Sequence, residues 1–347
     1  MRRGIDEPPP EYFIDFIHLL RYTHYRMKQP LASITNDFKG KDIVSLSQFD
    51  RASVETTFNA IQQIKSTFSS TRFTDTFKNY MAALMFFEPS SRTFLSFSTA
   101  VKRMGGQTLE NQNAATTSST VKGETLEDMA KVLESYADVL VVRHPEKGSV
   151  EKMAKAVQIP VINAGDGAGE HPTQALMDMF TIYEKFGKLD GVKGLIAGDL
   201  LYGRTVHSLL KGLALFNDVT IYLMAPQILK LDPEVIKELQ KTNITLVEIE
   251  NEEKIPQDCN FWYWTRVQKE RFEDQNAYEE VRTRFILNPK LLEMKGNENL
   301  ILMHPLPRVG EIDERVDADP RAIYLTTQIQ NGVYTRMALL SLITGTL

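Results

Sequence analysis

Hydroxyl and guanidinium side chains follow one of the short apolar runs in this sequence. Ser90, Ser91, Arg92 and Thr93 come just after the run at residues 82–87. Three hydroxyls and an arginine at the start of a helix suit a phosphate, because the free backbone N–H groups there also attract anions. Simple helix capping is the alternative, since it needs one hydroxyl and no arginine. The pattern is not a nucleotide P-loop, because no Gly-x-x-x-x-Gly-Lys-Ser/Thr segment occurs.

Arginine also follows three other apolar runs. Arg143 comes directly after residues 139–142, while Arg204 and Arg266 lie further along the chain, with Gln268 two residues after the last of them. A single arginine of this kind is usually a solvated surface residue, but four at separate run ends favour an anion site.

The later two arginines leave two interpretations open. Guanidinium groups on separate strands suit two carboxylates, each bound through a bidentate contact. Internal ion pairing of Arg204 and Arg266 with Asp199 or Glu270 is the alternative.

His171 immediately precedes Pro172, which suits the first position of a helix. The positive end of a helix lowers the pKa of a nearby imidazole, so a neutral histidine could donate one hydrogen bond to a carbonyl oxygen. A purely capping histidine is equally compatible with the sequence. Since no second ligand stands at metal-binding spacing, we expect no metal and no cofactor.

The elements that must position these residues alternate between strand-like and helical patterns. Strands are predicted at 82–87, 139–142, 160–163, 194–197, 219–223, 244–247, 261–264 and 300–303, and helices at 91–104, 125–135, 172–186, 203–216, 233–241 and 333–343. Such alternation indicates an α/β fold with parallel sheets flanked by helices. Ligands bind beyond the carboxyl ends of parallel strands, where the polar clusters lie. Residues 187–191 predict a junction between two domains.

Composition excludes several other classes of protein. The formal net charge of −5 gives no general attraction for nucleic acid or anionic membranes. No apolar run approaches the ~18 residues of a membrane span. Cys259 is the single cysteine, in an apolar stretch that predicts a buried, inert thiol. We therefore expect a soluble, cytoplasmic protein. Residues 1–38 read as an appended segment with an amphipathic helix, whose role as a self-packed or partner-binding element stays open.

Six motifs, taken together and in order, closely resemble the catalytic chain of the aspartate carbamoyltransferase family. They lie at residues 86–93, 142–145, 163–167 with 171–174, 198–200 with 202–206, 265–271 and 304–308. The resemblance begins near residue 39. It implies the carbamoyltransferase fold, with a carbamoyl-phosphate domain at 39–187 plus 327–347 and an aspartate domain at 188–326. It also implies transfer of a carbamoyl group to L-aspartate, the committed step of pyrimidine biosynthesis.

The resemblance also assigns residues to carbamoyl phosphate. Arg92, Thr93, Arg143 and His171 would be catalytic, with Arg143 shared between phosphate and carbonyl. The full set of contacts would be Ser90, Ser91, Arg92, Thr93, Arg143, His171, Gln174 and the backbone carbonyls of Pro305 and Leu306.

Aspartate would be bound by Arg204, Arg266 and Gln268. In this family a loop from a neighbouring subunit completes the site, and here residues 112–122 would supply Ser118 and Lys122. The resemblance therefore implies a homotrimer with shared active sites, and it leaves open a separate regulatory chain.

Two substitutions depart from the usual family motif Ser-Thr-Arg-Thr-Arg. Ser91 replaces the threonine and keeps its hydroxyl, whereas Phe94 replaces the second arginine and removes a charge. Ser98 stands where a glutamate is common, which indicates that an ion pair has been lost as a unit.

Two rival functions remain. Ornithine carbamoyltransferases typically carry Ser-Met-Gly and His-Cys-Leu-Pro, whereas this chain has His-Pro-Leu-Pro at 304–307 and no Ser-Met-Gly. A catalytically silent scaffold would be expected to lack a catalytic residue, and every position named above is kept.

Overall fold

The computed structural model describes residues 31–167, 169–269, 272, 274–282 and 284–347. The amphipathic helix predicted before Pro30 lies outside these residues. In the described part of the chain, no helix is both long and apolar enough to cross a membrane.

The first half of the chain forms a four-stranded parallel sheet. Its strands are β1 (Met81–Phe86), β2 (Gln107–Asn111), β3 (Val139–His144) and β4 (Val161–Asp166), in the spatial order β2-β1-β3-β4. Apart from β2 the strands are almost wholly buried, as expected for a parallel sheet covered on both faces.

The second half forms a five-stranded parallel sheet. Its strands are β5 (Lys193–Ala197), β6 (Val219–Met224), β7 (Ile244–Ile249), β8 (Phe261–Trp264) and β9 (Ile301–Met303), in the order β7-β6-β5-β8-β9. The chain order reverses at β5, between β6 and β8, and such a switch point opens a crevice at the carboxyl edge of the sheet.

Eleven α-helices lie in the described residues. They are α1 (Arg51–Ser70), α2 (Ser91–Arg103), α3 (Ala114–Thr117), α4 (Leu126–Glu134), α5 (Ser149–Ala156), α6 (Pro172–Phe186), α7 (Arg204–Leu213), α8 (Pro233–Leu239), α9 (Gln275–Arg282), α10 (Pro289–Lys295) and α11 (Thr327–Thr344).

Helix α11 returns from the second half of the chain to the first. It packs against α1, α2 and α6, and it is buried on most of its circumference. Helices α6 and α7 join the two halves at close range, because Gly212 on α7 faces Met179 on α6 with no room for a Cβ atom. One continuous apolar core therefore runs between the two sheets.

The predicted α/β architecture is confirmed, and all eight predicted strands are present with shifts of a few residues at their ends. Strand β2 and helices α1, α3, α5, α9 and α10 were not predicted. Cys259 is buried, as expected, and burial raises the pKa of its thiol to about 12.

Candidate active site

A cavity of about 620 Å³ opens where the carboxyl ends of the two sheets face each other. Twelve of the residues singled out from the sequence line it. They are Ser90, Ser91, Arg92, Thr93, Arg143, His171, Gln174, Arg204, Arg266, Gln268, Pro305 and Leu306. Because these residues come from six separate strand ends, the fold brings together what is spread over more than two hundred positions of sequence.

The first wall of the cavity is the N-terminus of α2. Ser90 is the N-cap residue of this helix, yet within the described part of the chain its side chain makes no capping hydrogen bond. The capping alternative is therefore not what the structure shows. Thr93 is buried and Arg92 is exposed to the cavity. Partial burial, followed by the nearby charge of Arg266, lowers the pKa of Arg92, so the two arginines face the same space.

Glu88 joins the arginines of the two halves. Phe86 and Arg143 are paired in the register of β1 and β3, which places Glu88 beside the guanidinium group of Arg143. One carboxylate oxygen, Oε1, accepts a short contact from Arg143 Nη2 and a 3.0 Å hydrogen bond from Arg204 Nη2. Burial, followed by the charge of Arg204, lowers the pKa of Arg143 to about 10, so the group stays cationic at neutral pH.

The end of β4 and the residue after it bring both guanidinium groups against the backbone. Arg143 Nη1 donates to the carbonyl of Ala164 at 3.2 Å, and Arg204 Nη1 donates to that of Gly167 at 2.7 Å. Gly165 has a φ of +115°, and a Cβ atom there would lie 2.9 Å from Arg143 Nη1. Only glycine therefore allows this approach.

His171 is the N-cap of α6 and is 4% exposed. Burial first, and then the charges of Arg143, Arg204 and Arg336, lower its pKa well below the usual value. The direction of this shift agrees with the predicted neutral imidazole, and burial is its first cause. A neutral ring has one N–H to donate, which suits a carbonyl oxygen.

Arg266 and Gln268 follow β8 and lie near Asp199, which follows β5. Ala197 and Trp264 are paired in the register of these strands, so the residues two positions later are neighbours. Gln268 Nε2 donates to Asp199 at 3.4 Å. Burial raises the pKa of Asp199, and hydrogen bonds from Tyr202 and Gln268 and then the charge of Arg266 oppose that shift. Asp199 thus interacts with this pair, whereas Glu270 lies outside the described residues.

Pro305 and Leu306 belong to a loop that two buried side chains hold in place. His304 Nδ1 accepts the Leu306 N–H at 2.7 Å, and His304 Nε2 contacts Glu311 at 2.6 Å. These bonds support Leu306 at a φ of +53°, a conformation that a side-chain-bearing residue adopts only when its surroundings require it.

Ser118 and Lys122 do not line the cavity within the described part of the single chain. Their segment folds into α3 and a 3-10 turn, Ser119–Lys122, and the exposed Lys122 is compatible with a contact to another subunit. Gln112 and Asn113, at the start of the same segment, do reach the cavity.

The structure accommodates Phe94 by packing and Ser98 by a hydrogen bond. Phe94 is 4% exposed and meets Phe86 edge-on, with ring centroids 5.2 Å apart. Ser98 donates to Glu110 at 2.7 Å, and that carboxylate also accepts from Lys102 and Thr108. Phe94 thus fills an apolar space without leaving a buried charge unpaired.

Several residues that line the cavity were not singled out from the sequence, above all Glu88, Gln328 and Arg336. Glu88 stands inside the first motif and could have been found from its place between two anion-binding segments. Gln328 and Arg336 lie on α11, whose return to the first half carries no local signal. Among the described residues, no group of three or more His, Cys, Asp or Glu side chains is arranged to hold a metal ion.

Comparison with known proteins gives the same two-part picture. Residues 41–184 match the family model "Aspartate/ornithine carbamoyltransferase, carbamoyl-P binding domain", and residues 190–343 match "Aspartate/ornithine carbamoyltransferase, Asp/Orn binding domain".

Individual relatives are similar over nearly the whole chain. Aspartate carbamoyltransferase 1, chloroplastic, from Pisum sativum is 42% identical over 90% of this chain and 81% of its own length. The catalytic subunit from Thermococcus onnurineus is 40% identical over 90% of this chain and 99% of its own length. A crystal structure of Trypanosoma cruzi aspartate transcarbamoylase in complex with carbamoyl phosphate and aspartate has a TM-score of 0.82 and 36% identity, and the match covers 90% of this chain and 99% of that one. The chain therefore belongs to the aspartate carbamoyltransferase family.

Proposed function

We propose that this chain transfers the carbamoyl group of carbamoyl phosphate to the amine of L-aspartate, which gives N-carbamoyl-L-aspartate and phosphate. The observation that supports the proposal most strongly is the shared cavity. Ser90 and Arg92 enter it from the first sheet, and Arg204 and Arg266 enter it from the second. One wall thus suits a phosphate and the opposite wall suits carboxylates.

The phosphate would bind at the N-terminus of α2. Ser90, Ser91 and Thr93 offer hydroxyls, and α2 contributes free backbone N–H groups at its first turn. Arg92 and Arg143 would add charge-assisted hydrogen bonds, which are stronger than neutral ones.

The carbamoyl group would lie between His171 and the loop that carries Pro305 and Leu306. The neutral His171 ring, Thr93 and Arg143 would donate to the carbonyl oxygen, and they would donate more strongly as negative charge develops there. Removing one such donor costs roughly 2.7–4 kcal/mol in other enzymes. Gln174 and the carbonyls of the loop would accept from the carbamoyl N–H groups and the incoming amine.

The aspartate carboxylates would bind Arg204, Arg266 and Gln268. Arg204 would then exchange part of its contact with Glu88 for a substrate carboxylate, while Arg143 would do the same for the phosphate. The Glu88 carboxylate thus lies between the two guanidinium groups and neutralises part of their charge before the substrates bind.

The reaction then needs no covalent bond between a substrate and the protein. The neutral amine attacks the carbonyl carbon and forms a C–N bond, and the carbonyl π electrons move onto oxygen. As the tetrahedral intermediate collapses, the C–O bond to phosphate breaks and the leaving phosphate takes up the amine proton. Positioning of the two reactants can supply ~7–11 kcal/mol of the barrier reduction.

We also propose the division into 1–38, 39–187 with 327–347, and 188–326, because α11 packs on the helices of the first sheet. The active form would be a homotrimer in which Ser118 and Lys122 enter the neighbouring site. Mixing inactive Lys122→Ala and Arg143→Ala chains should then restore part of the activity, since some sites would receive two intact sets of residues. No recovery from well-formed mixed trimers would contradict shared sites. A regulatory chain and a cytoplasmic location remain predictions from the sequence.

The direct test is formation of the ureido product from carbamoyl phosphate with L-aspartate and, separately, with L-ornithine. Turnover with aspartate alone is expected. Turnover only with ornithine would overturn the assignment of Arg204 and Arg266, and no turnover from folded, assembled protein would favour a silent scaffold.

A further inference from the structure

A fully buried carboxylate lies directly behind the cavity wall. Asp178, on α6, is 0% exposed and accepts hydrogen bonds from three side chains. Gln328 Nε2 donates at 2.7 Å, Tyr263 Oη at 2.8 Å, and Gln174 Nε2 at 3.1 and 3.2 Å to its two oxygens. These donors come from α6, β8 and α11, so Asp178 connects α6 with a strand of the second sheet and with the returning helix.

One branch from Asp178 ends at Gln174, which lines the cavity. The Gln174 NH₂ group is directed at the carboxylate, so its amide oxygen is left for other partners. A carbamoyl NH₂ group is a hydrogen-bond donor and needs such an acceptor. Because the Gln174 NH₂ group lies against both oxygens of Asp178, these contacts select one of the two orientations of its amide.

The other branch ends at the backbone of the loop that carries Pro305 and Leu306. Gln328 donates to Asp178 through Nε2, and its Oε1 accepts the His304 N–H at 3.0 Å. Gln328 is 1% exposed, and both ends of its amide are occupied by these bonds. It is therefore placed to position the loop and not to bind substrate.

We propose that Gln174, Asp178, Gln328 and the His304 backbone form a positioning relay, which fixes the carbamoyl-binding amide relative to the loop opposite it. The relay rests on the function proposed above. It adds two positioning residues, Asp178 and Gln328, that act through groups in contact with the reactants. Since the relay sets geometry between reactants, its loss should lower kcat and leave the affinity of the α2 terminus for anions unchanged.

The test uses Gln328→Met, which keeps the side-chain length and removes both hydrogen bonds of the amide, the one to Asp178 and the one from the His304 N–H. Thermal unfolding first establishes that the variant is folded, and kcat is then measured with both substrates saturating. We expect kcat to fall about 10- to 100-fold, because small misplacements of reacting groups have effects of this size. The dissociation constant for inorganic phosphate should stay within about twofold of the wild type.

Tyr263→Phe is the matched control. It removes a third hydrogen bond from the same carboxylate, and its hydroxyl also interacts with Gln174, but the branch through Gln328 stays intact, so kcat should fall by no more than about threefold. An equal loss of kcat in Tyr263→Phe and Gln328→Met would overturn the relay and indicate general disturbance of packing around Asp178. An unchanged kcat in folded Gln328→Met would also overturn it.

Asp178→Ala, where it folds, allows a double-mutant cycle with Gln328→Met. If Asp178 and Gln328 act through the same relay, the double variant should lose about as much kcat as the more damaged single variant. Losses of kcat that multiply would contradict a shared relay. The wild type is assayed beside them. Inactive wild type contradicts the proposed function, whereas active wild type with an unaffected Gln328→Met contradicts the relay alone.

Discussion

The two anion-binding regions of the cavity differ in what already occupies their charged groups. At the N-terminus of α2, Ser90 caps nothing with its side chain and Arg92 has no ion pair within the described residues. Between the sheets, Arg143 and Arg204 are both engaged by Glu88 and by backbone carbonyls. The first region is open to its ligand, while the second must exchange a protein partner for a substrate.

The two regions therefore have different roles: the N-terminus of α2 binds phosphate, and the Glu88 contact aligns the two halves of the site. An open cluster of hydroxyls and N–H groups can take up phosphate without rearrangement. The Glu88 contact, by contrast, links a residue of the first sheet with an arginine of the second, so it sets how closely the two halves approach. Substrate charge that displaces or reinforces this contact is therefore coupled to the distance between the reactants.

The largest effect should follow from Arg143→Ala. Arg143 belongs to both regions, because it is assigned to the phosphate and also contacts Glu88 between the sheets. The variant loses a donor to phosphate and carbonyl, so kcat/KM for carbamoyl phosphate should fall about 1000-fold, in line with oxyanion donors elsewhere. Steady-state kinetics on the folded protein measure it.

Arg51→Ala is the control for that loss. Arg51 is an arginine engaged by carboxylates far from the cavity, Glu55 and Asp190, and its removal should leave kcat/KM unchanged. Near wild-type turnover in Arg143→Ala would contradict the assignment of the site.

A smaller effect is expected from Glu88→Gln, which removes the charge and keeps the shape of the side chain. It changes the region between the sheets and leaves the N-terminus of α2 as it is. A hydrogen bond to a charged group contributes ~1.5–3 kcal/mol against ~1 kcal/mol for a neutral one, so the amide would align the arginines of the two sheets less firmly, and kcat/KM for aspartate should fall about tenfold through that lost alignment. Phosphate affinity, measured by calorimetry, should change little because α2 holds that anion. A rise in kcat/KM would instead identify Glu88 as a competitor of the substrate.

The smallest effect concerns stability and pH. The pKa of His171 is lowered in the folded state, so below about pH 6.5 the unfolded chain takes up a proton that the folded chain does not. The free energy of unfolding should therefore fall on acidification. His171→Gln should reduce that slope by up to about 1.4 kcal/mol per pH unit, measured by urea unfolding between pH 5 and 6.5. Equal slopes would show that His171 is protonated in the folded protein.

Much of the site could be predicted from the sequence because parallel strands bring their ends together. Once Arg143 and Arg266 were assigned to the ends of apolar runs, the α/β pattern alone predicted that they share an edge. The buried strands were equally clear. Strand β2 was not, because it is a polar edge strand whose residues remain half-exposed.

What could not be predicted depends on distant packing. The engagement of Arg143 and Arg204 by Glu88 follows from the register of β1 with β3 and from the approach of the second sheet. Gln328 reaches the cavity only because α11 returns to the first half. The burial that lowers the pKa of His171 could not be predicted either, since burial depends on neighbours that the local sequence does not reveal.

The central claim is that phosphate and carboxylates bind in separate regions, and its most direct test compares Arg92→Ala with Arg266→Ala. For each variant we would measure the dissociation constant of carbamoyl phosphate and the KM for aspartate at saturating carbamoyl phosphate. The account predicts that Arg92→Ala weakens carbamoyl phosphate about 100-fold and that Arg266→Ala raises the KM for aspartate by a similar factor, each leaving the other constant within about threefold. If either variant weakened both ligands equally, or if the two effects were reversed, the separation of the two regions would be wrong.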